Sequence, residues 1–439
     1  MNVISSFNRR VASAAAAISI SILSSTLPVF PQAAMPVLQI QADKVIAKMP
    51  PTFYGLMTEE INFAFEGGLY GELIRNRTFK ADAMRQTIKA ENYNPGSYYP
   101  VKFACSSNSP RFWSAVGNAK ISLDTNNILN RWLNVSLKLD VSGASKDSPA
   151  GVANDGFWGI PLRPNATYRA SFFAKSEHFS GPLTISLESK DGKRVFASKQ
   201  VSGIGGKWKK YETTLALPGD VTPSKENRLV ISTTKSGTLL NHHGTIWLQE
   251  VSLFPATYKD RPNGDREDIS KLLAGAQPRF LRFPGGNYVE GNVFNERFNW
   301  KEMIGPVEER PGHQSCWGYW STDGFGLPEF LGWCEDLNME PVLAVFAGYC
   351  LRGDHVKAGP GLEPYVQEAL EEIEYVTGDA ATTKWGAQRA KDGHAKPLNL
   401  RYVEIGNEDF FDRSGSYDAR FAQFYDAIKA KYPRLQSVF

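Results

Sequence analysis

Leu400-Arg401-Tyr402-Val403-Glu404-Ile405-Gly406-Asn407-Glu408 reads as a short buried strand that leaves its sheet at an adjacent amide and carboxylate. Val403 and Ile405 alternate with Tyr402 and Glu404, and Gly406 gives the backbone freedom to turn at the exit. In a (β/α) barrel the carboxyl ends of the strands are where chemistry is placed. An Asn beside a Glu supplies one group to hold a sugar hydroxyl and one to move a proton, which is what acid/base glycoside hydrolysis requires. The plainer reading is an N-capping Asn followed by a solvated Glu. Gly-Asn-Glu is short, and on its own it leaves the two readings level.

Two further segments tilt the balance. Arg279-Phe280-Leu281-Arg282-Phe283-Pro284-Gly285-Gly286-Asn287 is again a short alternating strand that ends in a Gly-rich turn with an Asn. Phe53-Tyr54-Gly55-Leu56-Met57-Thr58-Glu59-Glu60-Ile61-Asn62 is a third. A phosphate cradle is excluded at the Gly-Gly pair, because no Gly-x-Gly-x-x-Gly follows and no Lys-Ser/Thr closes the loop. Gly203-Ile204-Gly205-Gly206-Lys207 fails the same test, since Trp208 stands where a magnesium-binding hydroxyl is needed. Three strand exits that each deliver Asn or Glu favour a carbohydrate site over three separate helix caps.

Taken together, Arg282-Phe-Pro-Gly-Gly-Asn287, Glu404-Ile-Gly-Asn-Glu408, Tyr54-Gly-Leu-Met-Thr-Glu-Glu60 and Gly67-Gly-Leu-Tyr-Gly-Glu-Leu-Ile-Arg-Asn76 resemble the family 51 α-L-arabinofuranosidases. Their order and spacing fit the plant-like branch, with a β-sandwich inserted early in the barrel, and the likeness runs from about residue 37 to the end. The resemblance implies a (β/α)8 TIM barrel and retaining hydrolysis of non-reducing-end α-L-arabinofuranosyl residues from arabinan- or arabinoxylan-type polysaccharides. It implies Glu408 as acid/base and Glu59, Asn287 and Asn407 as ligands to the sugar hydroxyls. In the family the nucleophilic Glu lies on strand 7, beyond Phe439, so the sequence is expected to be an N-terminal fragment, inactive alone, in which no residue takes that role. Two alternatives stand beside this reading. One is another retaining glycosidase of the superfamily, such as a xylosidase or an endoglucanase. The other is a carbohydrate-binding protein without catalysis.

The 439 residues exceed one ordinary core, and 42% hydrophobic with 22% charged residues is a globular composition. A formal net charge of +3 is small for this length and argues against nucleic acid as a partner. The expected partner is an arabinose-containing plant cell-wall polysaccharide or oligosaccharide. Cys105, Cys316, Cys334 and Cys350 show no Cys-x-x-Cys spacing, and the six His residues are scattered, so no metal and no cofactor is expected. Arg9 and Arg10, the apolar and small run Val11–Leu27, and Pro31-Gln-Ala-Ala34 have the three parts of a secretory signal. That implies a secreted or periplasmic protein, with an uncleaved anchor as the alternative because Gln32 fits the cleavage region poorly; no later segment is apolar enough to span a bilayer.

The expected organisation is a signal at 1–34, the start of the barrel with strand 1 at 35–91, an inserted carbohydrate-binding-like jelly-roll sandwich at 92–256, and barrel strands 2 to 4 at 257–439. The last segment stops before strand 5. Val37–Val45 reads as a short strand, and Gly67–Phe79 as a helix with Leu69, Tyr70, Leu73 and Ile74 on one face. Between Asn92 and Phe254 the period is two, with turn residues between short strands. Trp113, Trp132, Trp158 and Trp208 are its candidate sugar-stacking residues, although core packing is the better expectation for any one of them. Beyond Pro262, helices at 268–276, 327–337, 364–377 and 417–432 alternate with strands at 279–284, 340–347 and 399–406. This rhythm implies a parallel sheet. The long loop Val289–Gly326 is expected to shape the pocket around Asp323.

Overall fold

The computed structural model describes residues 37–438 apart from 85–86, 96, 98–101, 104–108, 239 and 241–242. The signal reading therefore lies outside the described residues, as does Cys105. Residues 37–49 are exposed and carry no strand, which corrects the expectation at Val37–Val45.

Strand β1 (Leu56–Met57) opens a five-stranded parallel sheet. Before that sheet resumes come a short antiparallel pair, Ala83–Met84 with Lys102–Phe103, and then, among the described residues, ten further antiparallel strands. They are β2 (Trp113–Val116), β3 (Lys120–Asp124), β4 (Ser136–Asp140), β5 (Ala150–Asn154), β6 (Thr167–Glu177), β7 (Leu183–Ser189), β8 (Val195–Val201), β9 (Lys209–Ala216), β10 (Asn227–Thr233) and β11 (Thr245–Phe254). They form two five-stranded sheets, ordered β8-β7-β10-β5-β2 and β9-β6-β11-β4-β3. Leu183, Ile185, Leu187 and Ile231 of one sheet and Leu137, Leu139, Phe172 and Leu248 of the other share a single buried core. That is a β-sandwich, and β6 shows its signature, with every second residue buried.

The parallel sheet continues with β12 (Phe280–Phe283), β13 (Glu340–Val345), β14 (Tyr402–Ile405) and β15 (Gln436–Val438), in the spatial order β1-β12-β13-β14-β15. Spatial order equals chain order, and every pairing is parallel. Helices α1 (Glu267–Gly275), α2 (Gly286–Glu290), α3 (Leu327–Leu337), α4 (Glu363–Thr377), α5 (Lys384–Lys391) and α6 (Tyr417–Lys431) lie between the strands. The fifth strand corrects the expectation of a sheet that stops at four. Tyr432 N closes the end of α6 on Ile428 O at 2.7 Å, and Gln436 to Val438 then register with Tyr402 to Glu404. Helix α5 had no apolar period to announce it. Instead Thr383 caps it, Oγ1 accepting from Gly386 N at 3.2 Å.

The expected helix at 67–79 is absent. Glu66, Gly67 and Gly68 take non-helical backbone angles. The amides that a helix would use internally bond elsewhere, Gly71 N to Gly264 O at 2.9 Å and Leu73 N to Leu253 O at 3.0 Å. The apolar residues are divided between two cores: Leu69 and Tyr70 pack in the α/β core, Leu73, Ile74 and Phe79 in the sandwich core. Tyr93 also packs in the α/β core against Phe294 and Tyr365, so the chain enters the sandwich later than residue 92. Glu72 locks the crossing segment to β11 by accepting from Leu253 N and Ser252 Oγ, and buried Arg77 bridges Glu72 and Glu250. Ile74→Ala is therefore expected to cost about 2–5 kcal/mol, read as a shift in the denaturant midpoint. An unchanged midpoint would remove this segment from the sandwich core.

Candidate active site

The carboxyl ends of β1, β12 and β14 bring the expected residues to one place. From β12, Arg282 reaches across β13 and grips both carboxylate oxygens of Glu404 on β14. Its Nη2 also donates to Asn407 Oδ1 at 2.8 Å. A bidentate, charge-assisted pair of this kind fixes both partners in orientation as well as position. The amide of Asn407 is thereby turned: its Nδ2 donates to Glu290 Oε2 at 3.0 Å and lies 3.4 Å from Asn287 Oδ1. Asn287 and Glu290 both sit on the single turn α2, which follows the cis Phe283–Pro284 bond and the Gly285-Gly286 pair.

Glu59 arrives from the exit of β1. Its Oε1 accepts from Tyr288 N at 2.8 Å and Trp317 Nε1 at 3.0 Å. The close packing explains Gly286, where a Cβ would stand 2.6 Å from Glu59 Oε2. Burial pushes the Glu59 carboxyl up, against the pull of Trp317, Tyr288 and Arg282, and the charge of Glu408 adds to the rise.

Glu408 is exposed and left-handed, with φ 47° and ψ 30°. A non-glycine residue in that region is held there by its surroundings. Asp409 provides the hold, its Oδ2 accepting from Asn407 N at 3.0 Å and its Oδ1 from Arg420 Nη2 at 3.0 Å. Arg420, fully buried on α6, also binds Asp412 Oδ2 at 2.8 Å and the carbonyl of Ala347 at the exit of β13. Gly406 is obligatory, because a Cβ there would meet Asp409 Oδ2 at 2.0 Å. The result is a cleft of about 720 Å³ floored by Arg282, Glu404, Asn407 and Glu408 and walled by Phe410 and Tyr417.

The structure thus gathers Glu59, Asn287, Asn407 and Glu408. Asp323 is the exception. It is buried, with Oδ1 2.7 Å from His313 Nδ1, and does not line the cleft. The loop that carries it reaches the site through Trp317 instead, and burial, then the charge of Glu59, push the thiol of Cys316 up. Sequence reasoning missed Glu290, Trp317, Asp409 and Arg420 as site residues. Glu290, three places after Asn287 on one helical turn, was the one with a usable spacing. Among the described residues no cluster of His, Cys, Asp or Glu could hold a metal ion.

The family model described as the α-L-arabinofuranosidase 1 domain matches residues 272–439, the stretch that carries β12 to β15. A probable α-L-arabinofuranosidase A of Aspergillus terreus is 36% identical over 388 residues, 88% of this chain and 57% of the relative. Over most of its length the chain is similar to α-L-arabinofuranosidases. α-L-Arabinofuranosidase 1 of Arabidopsis thaliana is 36% identical over 401 residues, 89% of this chain and 53% of that protein. An arabinose-bound family 51 α-L-arabinofuranosidase superposes with a TM-score of 0.77 at 39% identity, covering 89% of this chain and 58% of that one. The chain therefore spans a little over half the length of the relatives it matches.

Burial, and then the charges of Asp409, Glu408 and Glu59, push the Glu290 carboxyl to about 8, against the hydrogen bond from Asn407. Burial and the Glu66 charge take Glu60 to about 8, and burial takes Glu66 to about 7. Unfolded, these carboxyls titrate near 4.5. Between that value and 8 the folded protein holds protons that the unfolded chain has lost. Stability is expected to fall as pH rises through this window, and Glu290→Gln to flatten the slope, as measured by denaturant unfolding from pH 5 to 8.5. A separate test concerns Arg420→Met, which strands two buried carboxylates. It is expected to cost about 3–5 kcal/mol in the same unfolding measurement.

Proposed function

We propose that this chain carries the acid/base side of a retaining α-L-arabinofuranosidase active site. The supporting observation is the Arg282 clasp, which sets Asn407 by its amide and leaves the next side chain, Glu408, exposed to the cleft. Glu408 in its acid form donates a proton to the glycosidic oxygen as the bond to the arabinofuranosyl carbon breaks. It then takes a proton from the water that releases the sugar. Asn407, Asn287 and Glu59 hold ring hydroxyls, with contacts that strengthen as positive charge develops on the ring.

The attacking carboxylate is not assigned to any described residue. Glu404 is spent on Arg282, Glu59 is held by Tyr288 and Trp317, and Glu60 is buried, accepting from Tyr319 Oη and Phe65 N. The sequential order of five parallel strands supports a singly wound (β/α)8 barrel, because a doubly wound sheet would reverse its strand order. The substrates we infer are arabinose-containing plant polysaccharides or oligosaccharides, met outside the cell. No helix among the described residues is long and apolar enough to cross a membrane.

In the protein that carries the whole active site, Glu408→Ala should lower kcat about 10²–10⁴-fold for poor leaving groups. The loss should be much smaller for activated aryl arabinofuranosides, which need little protonation. Azide should restore turnover of the glycosyl-enzyme, since it attacks without a general base. Equal losses across leaving groups, with no rescue, count against the assignment.

A further inference from the structure

Of the tryptophans in the inserted region, Trp113 is buried and donates Nε1–H to Asn76 O at 3.0 Å, a core residue as expected. Trp158 is different. It lies on the sandwich loop between β5 and β6 and is 56% exposed. Its ring is nevertheless fixed, because Nε1 donates to Gly67 O at 2.9 Å. Exposed apolar rings are normally left mobile or covered. Here the one polar atom is tied to the backbone, and an aromatic surface stays in water.

That ring is continuous with the candidate active site. Trp158 stands edge-to-face on Phe63, with centroids 5.6 Å apart and planes at 82°, and Phe63 stacks on Tyr319 at 4.2 Å and 21°. Tyr319 Oη donates to Glu60 at 2.8 Å, next to Glu59, which accepts from the part-exposed Trp317. Beside Trp158 is a hollow of about 180 Å³, lined also by Phe157 and by the cationic side chains of Lys225 and Arg266.

We propose that Trp158, with Phe157 and the hollow beside it, is a stacking platform through which the sandwich holds the polysaccharide chain whose arabinofuranosyl branch occupies the cleft. A sugar ring presents an apolar C–H face to an indole and hydroxyls to its rim, where Lys225 can donate; Arg266 is itself held by Asp268 at 2.8 Å. A protein partner fits poorly, because a stable interface needs about 800 Å² on each side, far more than one indole and its neighbours supply. Polymer recognition is thus divided between the α/β unit and the sandwich. The proposal rests on the glycosidase reading for its occupant, yet its binding readout is independent of turnover.

The test is affinity electrophoresis of the chain in gels of arabinoxylan, unsubstituted xylan and arabinan. Thermal melts of each variant establish folding. The wild-type chain should be retarded, and Trp158→Ala should weaken retardation about three- to tenfold in apparent Kd with its melting temperature unchanged. Trp158→Phe, which keeps a ring but loses the tie to Gly67, should fall between. Retardation by xylan identifies the backbone as occupant, and retardation by arabinan alone identifies an arabinan chain. In the full-length enzyme Trp158→Ala should lower the ratio of kcat/KM on polymer to kcat/KM on an aryl arabinofuranoside by a similar factor. No retardation of the wild type, or retardation equal in wild type and Trp158→Ala, overturns the platform. An enzyme that binds polymer through Trp158 yet hydrolyses no arabinofuranoside overturns the functional reading and leaves the platform standing.

Discussion

The guanidinium of Arg282 is the interaction on which the site depends. It spans three strands of the parallel sheet, leaving β12, passing β13 and closing on Glu404 of β14, and the same nitrogen turns Asn407. Both charges are largely out of water, a situation that is costly unless each partner is fully used. Here the fork is used: one carboxylate taken by both oxygens, and one amide oxygen. Since Asn407 directly precedes Glu408, the clasp and the αL backbone together decide where the exposed carboxylate points.

A second buried cation supports the first from outside. Arg420 on α6 holds Asp409 and Asp412, and Asp409 caps the amide of Asn407. The loop that carries Glu408 is thus pinned by a strand on one side and a helix on the other. Loops that carry chemistry are usually the mobile parts of a fold. This one is held by charge-assisted bonds at each end, an arrangement suited to the proton-donor role proposed for Glu408.

The inserted sandwich is more than a passenger on the α/β unit. The segment after β1 is shared: its apolar residues are split between two cores, and Glu72 and Arg77 tie it to β11. That sharing places the β5–β6 loop, with Trp158, against Gly67 and Phe63 just beyond the exit of β1. The same feature defeated the helix reading of Gly67–Phe79. A period of three or four was present in Leu69, Tyr70, Leu73 and Ile74, but the two pairs face different cores rather than one.

Much of the protein was legible in its sequence. Period two in β6 and β7, alternation of strand and helix beyond Pro262, and polar residues at three strand exits are local patterns. They follow from side-chain geometry along one element, so they predict elements and candidate ligands before any tertiary contact is known. The strands that lead to Asn287 and Asn407 could be placed this way, as could helices α1, α3, α4 and α6. What lay beyond the sequence depends on contacts between distant residues. Asp323 looked like a pocket residue because its loop is long and polar, yet it pairs with His313 in the interior. Glu290, Arg420 and Trp158 looked like an ordinary helix acid, an ordinary helix cation and one tryptophan among ten. Burial beside Asn407, burial between two carboxylates and exposure beside Phe63 gave them their roles. Burial and exposure are properties of the packed chain, set by which surfaces meet, and no window of neighbouring residues encodes them.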